Sequence, residues 1–256
     1  EMCDSDWSSD VCSSDLILFP IAFHMNRAPA VWADPRAMME VARERKRLFT
    51  DLPSGSFANV ALSHRLQFAP HRFLTSGLQS YYDLADLLRL IRRGDLQPLR
   101  SEATIHLLGY SAGTYLATLL LMTEGEALCR GSRAFLLCGG SLLEHANPVS
   151  RAIIDGEAHR ELFGFLRELS LNPRSVLPTG IGRPVEQLRE FDLLRSLVLA
   201  SNLRELREET IRPVASRIRL LGFAKDQVFY PTGLSASWLQ RDGSSLLPIE
   251  IEDPPF

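Results

Sequence analysis

The chain has 256 residues, of which 45% are hydrophobic and 23% charged, and a formal net charge of −3. That is one large domain or two small ones, with enough apolar chain to bury a core, and it excludes a mostly disordered protein. No apolar run reaches the roughly 20 residues of a membrane span, and the small net charge, with no aromatics interleaved among the basic residues, argues against a nucleic-acid surface.

Residues 1–16 stand apart from the rest of the chain. "DWSSDVCSSDL" is polar and aperiodic. Trp7–Leu16 reads in order from TGG AGT TCA GAC GTG TGC TCT TCC GAT CT, which looks like a short-read sequencing adapter. Residues 1–16 are therefore expected to be non-native and disordered, and 17–256 to form the domain, cut at both ends. Setting aside Glu1, Asp4, Asp6, Asp10 and Asp15 leaves 26 of the 31 acidic residues against 28 basic ones, a net of +2. Cys129 and Cys138 remain, in contexts that suit buried free thiols rather than a disulfide framework.

Ile17–Phe23 ("ILFPIAF") reads as a short buried strand. Asp34-Pro35 has the residue types of a helix N-cap and first position, and the basic end at Arg43, Arg45, Lys46 and Arg47 suits a helix C-terminus. Ser56–Ser63 ("SFANVALS") reads as the next strand. From Thr75 to Arg93, Leu78, Tyr81, Leu84, Ala85, Leu88 and Ile91 recur at helical spacing, and Gly94 is placed to stop the helix. Thr104–Leu108 is predicted as a strand, Ala112–Met122 as a helix and Arg133–Cys138 as a strand. This alternation predicts an α/β fold, a mostly parallel sheet with helices on both faces. From about 147 to 213 the sequence turns helical, interrupted by "NPRSVLPTGIGRP", whose Gly180-Ile181-Gly182 follows no strand and is no dinucleotide fingerprint. Ser216–Phe223 and Leu246–Asp253 read as the closing strands.

The informative stretch is "HLLGYSAGTYLATLLL", His106–Leu121. Gly109-Tyr110-Ser111-Ala112-Gly113 is a G-x-S-x-G turn between an apolar strand and an apolar helix. Such a turn lifts a serine hydroxyl clear of the sheet, and small residues are needed where strand and helix pass closely. The helix N-terminus offers free N–H groups to a developing oxyanion. No H-E-x-x-H or paired Cys-His spacing suggests a metal, and no cofactor is expected.

With this motif and topology the chain resembles the α/β-hydrolase superfamily from Ile17 onward, in particular poorly characterised bacterial members. The resemblance implies an α/β-hydrolase-like sheet and a serine hydrolase acting on an ester, thioester or related small-molecule acyl substrate. Its helical cap would lie at about 147–213. Ser111 would be the nucleophile after the fifth strand, with Ile17–Phe23 as the third. Ala112 N–H would be one oxyanion donor, and Met25, with Asn26 next, would supply the other; family members often carry His-Gly where this chain has His24-Met25. Asp226, after the Ser216–Phe223 strand, would be the acid, with Glu144 as the alternative. The base should follow the last strand, yet no histidine follows Asp226, so it is expected beyond residue 256, and a chain ending there is expected to be nearly inactive. Among the histidines present, His145 is the alternative base. A cytoplasmic location is expected. The competing readings are a non-catalytic binding or scaffold protein of the same fold, and an acyltransferase.

Overall fold

A computed structural model describes residues 15–172 and 188–253; most of the adapter-like segment and the Gly180-Ile181-Gly182 loop lie outside the described residues. The chain opens with helices. In α1 (Pro35–Leu48), Asp34 caps as its sequence predicts, its carboxylate accepting from Arg36 N at 2.8 Å with Pro35 at the first position. Arg45 in the last turn is no solvated cation. It is 2% exposed, pairs with Asp155 at 2.5 Å and donates to Gln67.

Two predicted strands are absent. Ser56–Ser63 belongs to α2 (Phe57–Phe68), where the Ser56 hydroxyl accepts from Asn59 N at 3.1 Å and Val60, Ala61, Ser63 and Leu66 are buried. A short apolar run cannot by its period be told from a buried helix, and here the helix continues through residues 64–68. Ile17–Phe23 forms no strand either. Pro20 in its middle lacks an N–H to donate to a ladder. The segment is instead tied to the third helix, with Ala22 N donating to Ser80 Oγ at 2.8 Å and Arg27 paired with Asp83. That helix, α3 (Arg72–Arg93), buries the predicted face through Leu78, Tyr81, Ala85, Leu88 and Ile91. It stops at Gly94 in the left-handed region (φ 77°), with Asp95 N donating back to Leu90 O.

The sheet comes next in the chain. β1 (Leu107–Tyr110), β2 (Ala134–Leu137), β3 (Ile218–Phe223) and β4 (Ile249–Glu252) lie side by side in that order, every pair parallel. β1 starts three residues later than predicted. Between β1 and β2 runs α4 (Gly113–Glu124). Between β2 and β3 come α5 (Gly156–Leu171), α6 (Arg189–Ser196) and α7 (Arg204–Ile211), in the region predicted to be helical. Between β3 and β4 runs α8 (Pro231–Trp238). The result is a small parallel sheet flanked by helices.

Strand residues alternate between two environments. Leu107, Gly109, Ala134, Leu136, Ile218, Leu220 and Gly222 point to the face against which α4 and α8 pack. α4 lies between this face and α3 and α6, which explains why it is apolar on nearly every side. Helices on both faces, the arrangement predicted from sequence, are therefore met only in part. On the opposite face Leu108, Tyr110 and Phe135 are 68, 66 and 40% exposed.

Helices α1, α2 and α5 are joined by the buried Arg45–Asp155 pair. Asp155 also caps α5, accepting from Ala158 N at 2.9 Å, and its own N–H donates to Ser63 Oγ on α2. Removing one partner leaves an uncompensated buried charge. Asp155→Ala is expected to lower stability by about 3–5 kcal/mol, whereas Arg45→Met/Asp155→Leu recovers most of that loss; urea unfolding of the three proteins checks it.

Candidate functional site

Because all four strands run parallel, their C-terminal ends share one rim, and the sequence-predicted nucleophile and acid both sit there. Ser111 leaves β1 with φ 50°, a left-handed conformation that a residue with a Cβ adopts at a cost of about 1–2 kcal/mol. The turn is clasped from three sides. Ser111 N donates to Leu137 O at 3.0 Å. The Ser111 carbonyl accepts from Thr114 N at 3.0 Å and from Thr114 Oγ1 at 2.6 Å. The hydroxyl itself is half-buried and has no hydrogen-bond partner among the described residues, and neither does Ala112 N–H, at the N-terminus of α4.

The glycines of the motif are not equivalent. A Cβ on Gly109 would stand 2.9 Å from Gly113 O and from Thr114 Cα, whereas one on Gly113 would meet open space. A glycine outside the motif matters as much: a Cβ on Gly139, after β2, would lie 2.7 Å from Ser111 O and 2.6 Å from Thr114 Oγ1. Only packing between neighbouring strand ends reveals that requirement.

Asp226 lies in the loop after β3, half-buried, its Oδ1 accepting from Val228 N at 2.8 Å and Phe229 N at 2.9 Å. With β2 between them, the strand ends carrying Ser111 and Asp226 are about 10 Å apart. Between them is Cys138, also at φ 50°. Burial pushes its thiol pKa up, and the Asp226 carboxylate adds to the rise. Sequence reading placed Cys138 in a strand and missed its position on the rim, which depends on strand order.

The remaining candidates are held elsewhere. Met25 and Asn26 form a short 3-10 turn, not a loop leaving a strand beside β1, since no such strand exists among the described residues. The flanking residues bind α2 and α3: the Arg65 guanidinium stacks 3.6 Å from the Phe23 ring centroid, and Arg27 pairs with Asp83. Glu144 accepts from Ala200 N. His145 Nδ1 lies 2.9 Å from Ser237 Oγ and its Nε2 3.8 Å from Glu144 Oε1. Serine, imidazole and carboxylate in series resemble a relay, but the Ser237 hydroxyl is buried, donates to Gly233 O at 2.6 Å and accepts from Leu142 N. Its proton is committed to a carbonyl, so this chain of contacts fastens α8 to the loop after β2. None of the six histidines makes a hydrogen bond to Ser111.

Two outcomes test this geometry. Gly109→Ala and Gly139→Ala should each lower stability by about 1–3 kcal/mol, while Gly113→Ala should change it by less than about 0.5 kcal/mol, all read by thermal unfolding. Asp226→Asn removes a negative charge beside a thiol whose pKa is raised, so the thiolate fraction at pH 8 increases and iodoacetamide alkylates Cys138 faster than in the parent protein.

No curated protein and no solved structure matches the chain. A family model does, over residues 6–256, which takes in the adapter-like stretch along with every described element. The chain belongs to that family, a family of unknown function (DUF6051).

Proposed function

We propose that the protein is a serine hydrolase of α/β-hydrolase-like architecture, acting on an ester, thioester or related acyl group with Ser111 as nucleophile. One observation carries the reading: a non-glycine residue is held at positive φ where strand becomes helix, its hydroxyl unpartnered and the next amide free among the described residues. Strain at a residue whose side chain makes no structural bond is a reason to look for chemistry there. Ser111 Oγ attacks the acyl carbon and gives its proton to a base. Ala112 N–H and the α4 N-terminus stabilise the oxyanion. The alcohol or thiol departs with the proton, and water then cleaves the acyl-serine by the same steps. Asp226, fixed by two amides on the same rim, orients the base.

The reading requires an imidazole that reaches Ser111 from outside the described residues, and it leaves the second oxyanion donor unassigned, since Met25 and Asn26 lie in a 3-10 turn that follows no strand among the described residues. The order of the sheet supports it. One strand separates the strand carrying Ser111 from the strand carrying Asp226, and a further strand follows, as the order Ser, Asp, His demands of the superfamily. The helices between β2 and β3, the expected cap, rest on α2, α3 and α4. That no histidine among the described residues meets Ser111 favours the second reading, a binding or scaffold protein on the same fold. Acyl transfer would use the same residues as hydrolysis.

A fluorophosphonate probe applied to the folded, full-length protein separates these. The expected result is one adduct, on Ser111, lost in Ser111→Ala and formed about 100-fold or more slowly in Asp226→Asn. No adduct on the folded protein overturns the hydrolase reading in favour of the scaffold.

A further inference from the structure

We propose that the Cys138 side chain is the wall against which the leaving group of the substrate lies, so that the size of residue 138 selects the alcohol or thiol released at Ser111; this rests on the hydrolase reading above. The register makes the two residues neighbours. Tyr110, Leu137 and Leu221 lie side by side. One position further, Ser111 N donates to Leu137 O at 3.0 Å and Cys138 N to Leu221 O at 3.1 Å. Ser111 and Cys138 therefore stand at matching ends of adjacent strands, about 5 Å apart, both at φ 50° and both half-buried. On its other side Cys138 faces the acid. Burial raises its thiol pKa, and the Asp226 carboxylate, held by Val228 N and Phe229 N, raises it further. Ser111, Cys138 and Asp226 thus form one line along the rim.

The chemistry gives that line a direction. The oxyanion turns to Ala112 N–H and the α4 N-terminus. The proton passes from Ser111 to the base and from the base to the leaving oxygen or sulfur, so the leaving group must lie within hydrogen-bond reach of the base. Asp226 orients the base, and it stands across Cys138 from Ser111. The leaving group therefore departs over Cys138, while the acyl chain extends from the carbonyl carbon away from this line. A raised pKa keeps the thiol protonated near neutral pH, so Cys138 acts through its shape and not as a second nucleophile. The wall is also fixed. Beyond it Gly140 turns the chain at φ 90°, and the Gly140 carbonyl accepts from the buried Trp238 Nε1 at 2.8 Å. A side chain on a strand end pinned in this way discriminates by size.

The test measures kcat/KM of the folded, full-length protein on two pairs of esters. Phenyl acetate and naphthyl acetate share the acyl group and differ in the leaving group; p-nitrophenyl acetate and p-nitrophenyl butyrate do the reverse. Cys138→Gly is expected to raise the naphthyl-to-phenyl ratio about tenfold or more, and Cys138→Leu to lower it by about as much. Cys138→Ser, which keeps the size, moves it by less than about twofold, and the butyrate-to-acetate ratio stays within about twofold in all three variants. Glycine adopts φ 50° without strain, and circular dichroism melts check that the variants stay folded; where Cys138→Leu does not, the glycine and serine variants decide. Leaving-group ratios that do not move with the size of residue 138, or acyl ratios that move with them, overturn the proposal. Fluorophosphonate labelling separates this from failure of the hydrolase reading. An adduct on Ser111 with unmoved ratios overturns the wall alone, whereas no adduct on the parent protein overturns both.

Discussion

The hand of the β-α-β crossover is the constraint on which the rest of this structure depends. Among the described residues four parallel strands are added in the order of the chain, always on the same side of the previous one. A right-twisted strand feeding a right-handed helix packs back in one sense, so α4 and α8 fall on one face and the strand C-termini share one rim. The rim brings Ser111, Cys138 and Asp226 together although up to 88 residues separate neighbours in that series. The same rule leaves Leu108, Tyr110 and Phe135 open to solvent. The candidate site and this exposed row of side chains are two results of one topology.

The covered side is built around α4. Seven of its twelve residues are buried, because it is enclosed by the sheet, α3 and α6. A helix so enclosed keeps its position through packing rather than through surface charge. Its N-terminus is therefore a firm support for the turn at Ser111. The close approach of Gly109 to Gly113 and Thr114, and of Gly139 to the Ser111 carbonyl, holds that residue at positive φ. The energy stored in one backbone angle is small, about 1–2 kcal/mol, and it persists because the surrounding contacts over-determine it.

The group α1, α2 and α5 obeys a different logic. α1, α2 and α5 meet across a polar contact, with Arg45, Gln67, Asp155 and Ser63 bonded to one another directly or in series. Buried ions add little net stability compared with apolar packing, but they penalise any alternative alignment that separates them. Such a contact sets the angle of three helices whose apolar faces alone would tolerate sliding. The buried Arg207 acts alike at smaller scale, its guanidinium bonded to the Ser196 carbonyl at the end of α6 and to the Ala200 and Asn202 carbonyls after it.

Local signals were legible in the sequence wherever the physics is local. The Asp34-Pro35 start of α1, the apolar stripe of α3 with its Gly94 stop, the turn at Ser111 and the strands near 134, 218 and 249 all depend on residues within one or two turns of chain. The two missing strands show the limit. Ser56–Ser63 and Ile17–Phe23 are short and apolar, and whether such a run becomes strand, helix or irregular chain depends on whether a neighbour offers a free edge; Pro20 was the one local warning. Sequence alone thus determined the elements with long periodic patterns and the serine turn, because propensity, capping and glycine sterics act over a few residues. Tertiary structure alone decided that Arg45 is buried, that Cys138 stands between Ser111 and Asp226, and that Leu108, Tyr110 and Phe135 are exposed on one face of the sheet among the described residues, because burial and strand order arise only when distant segments pack.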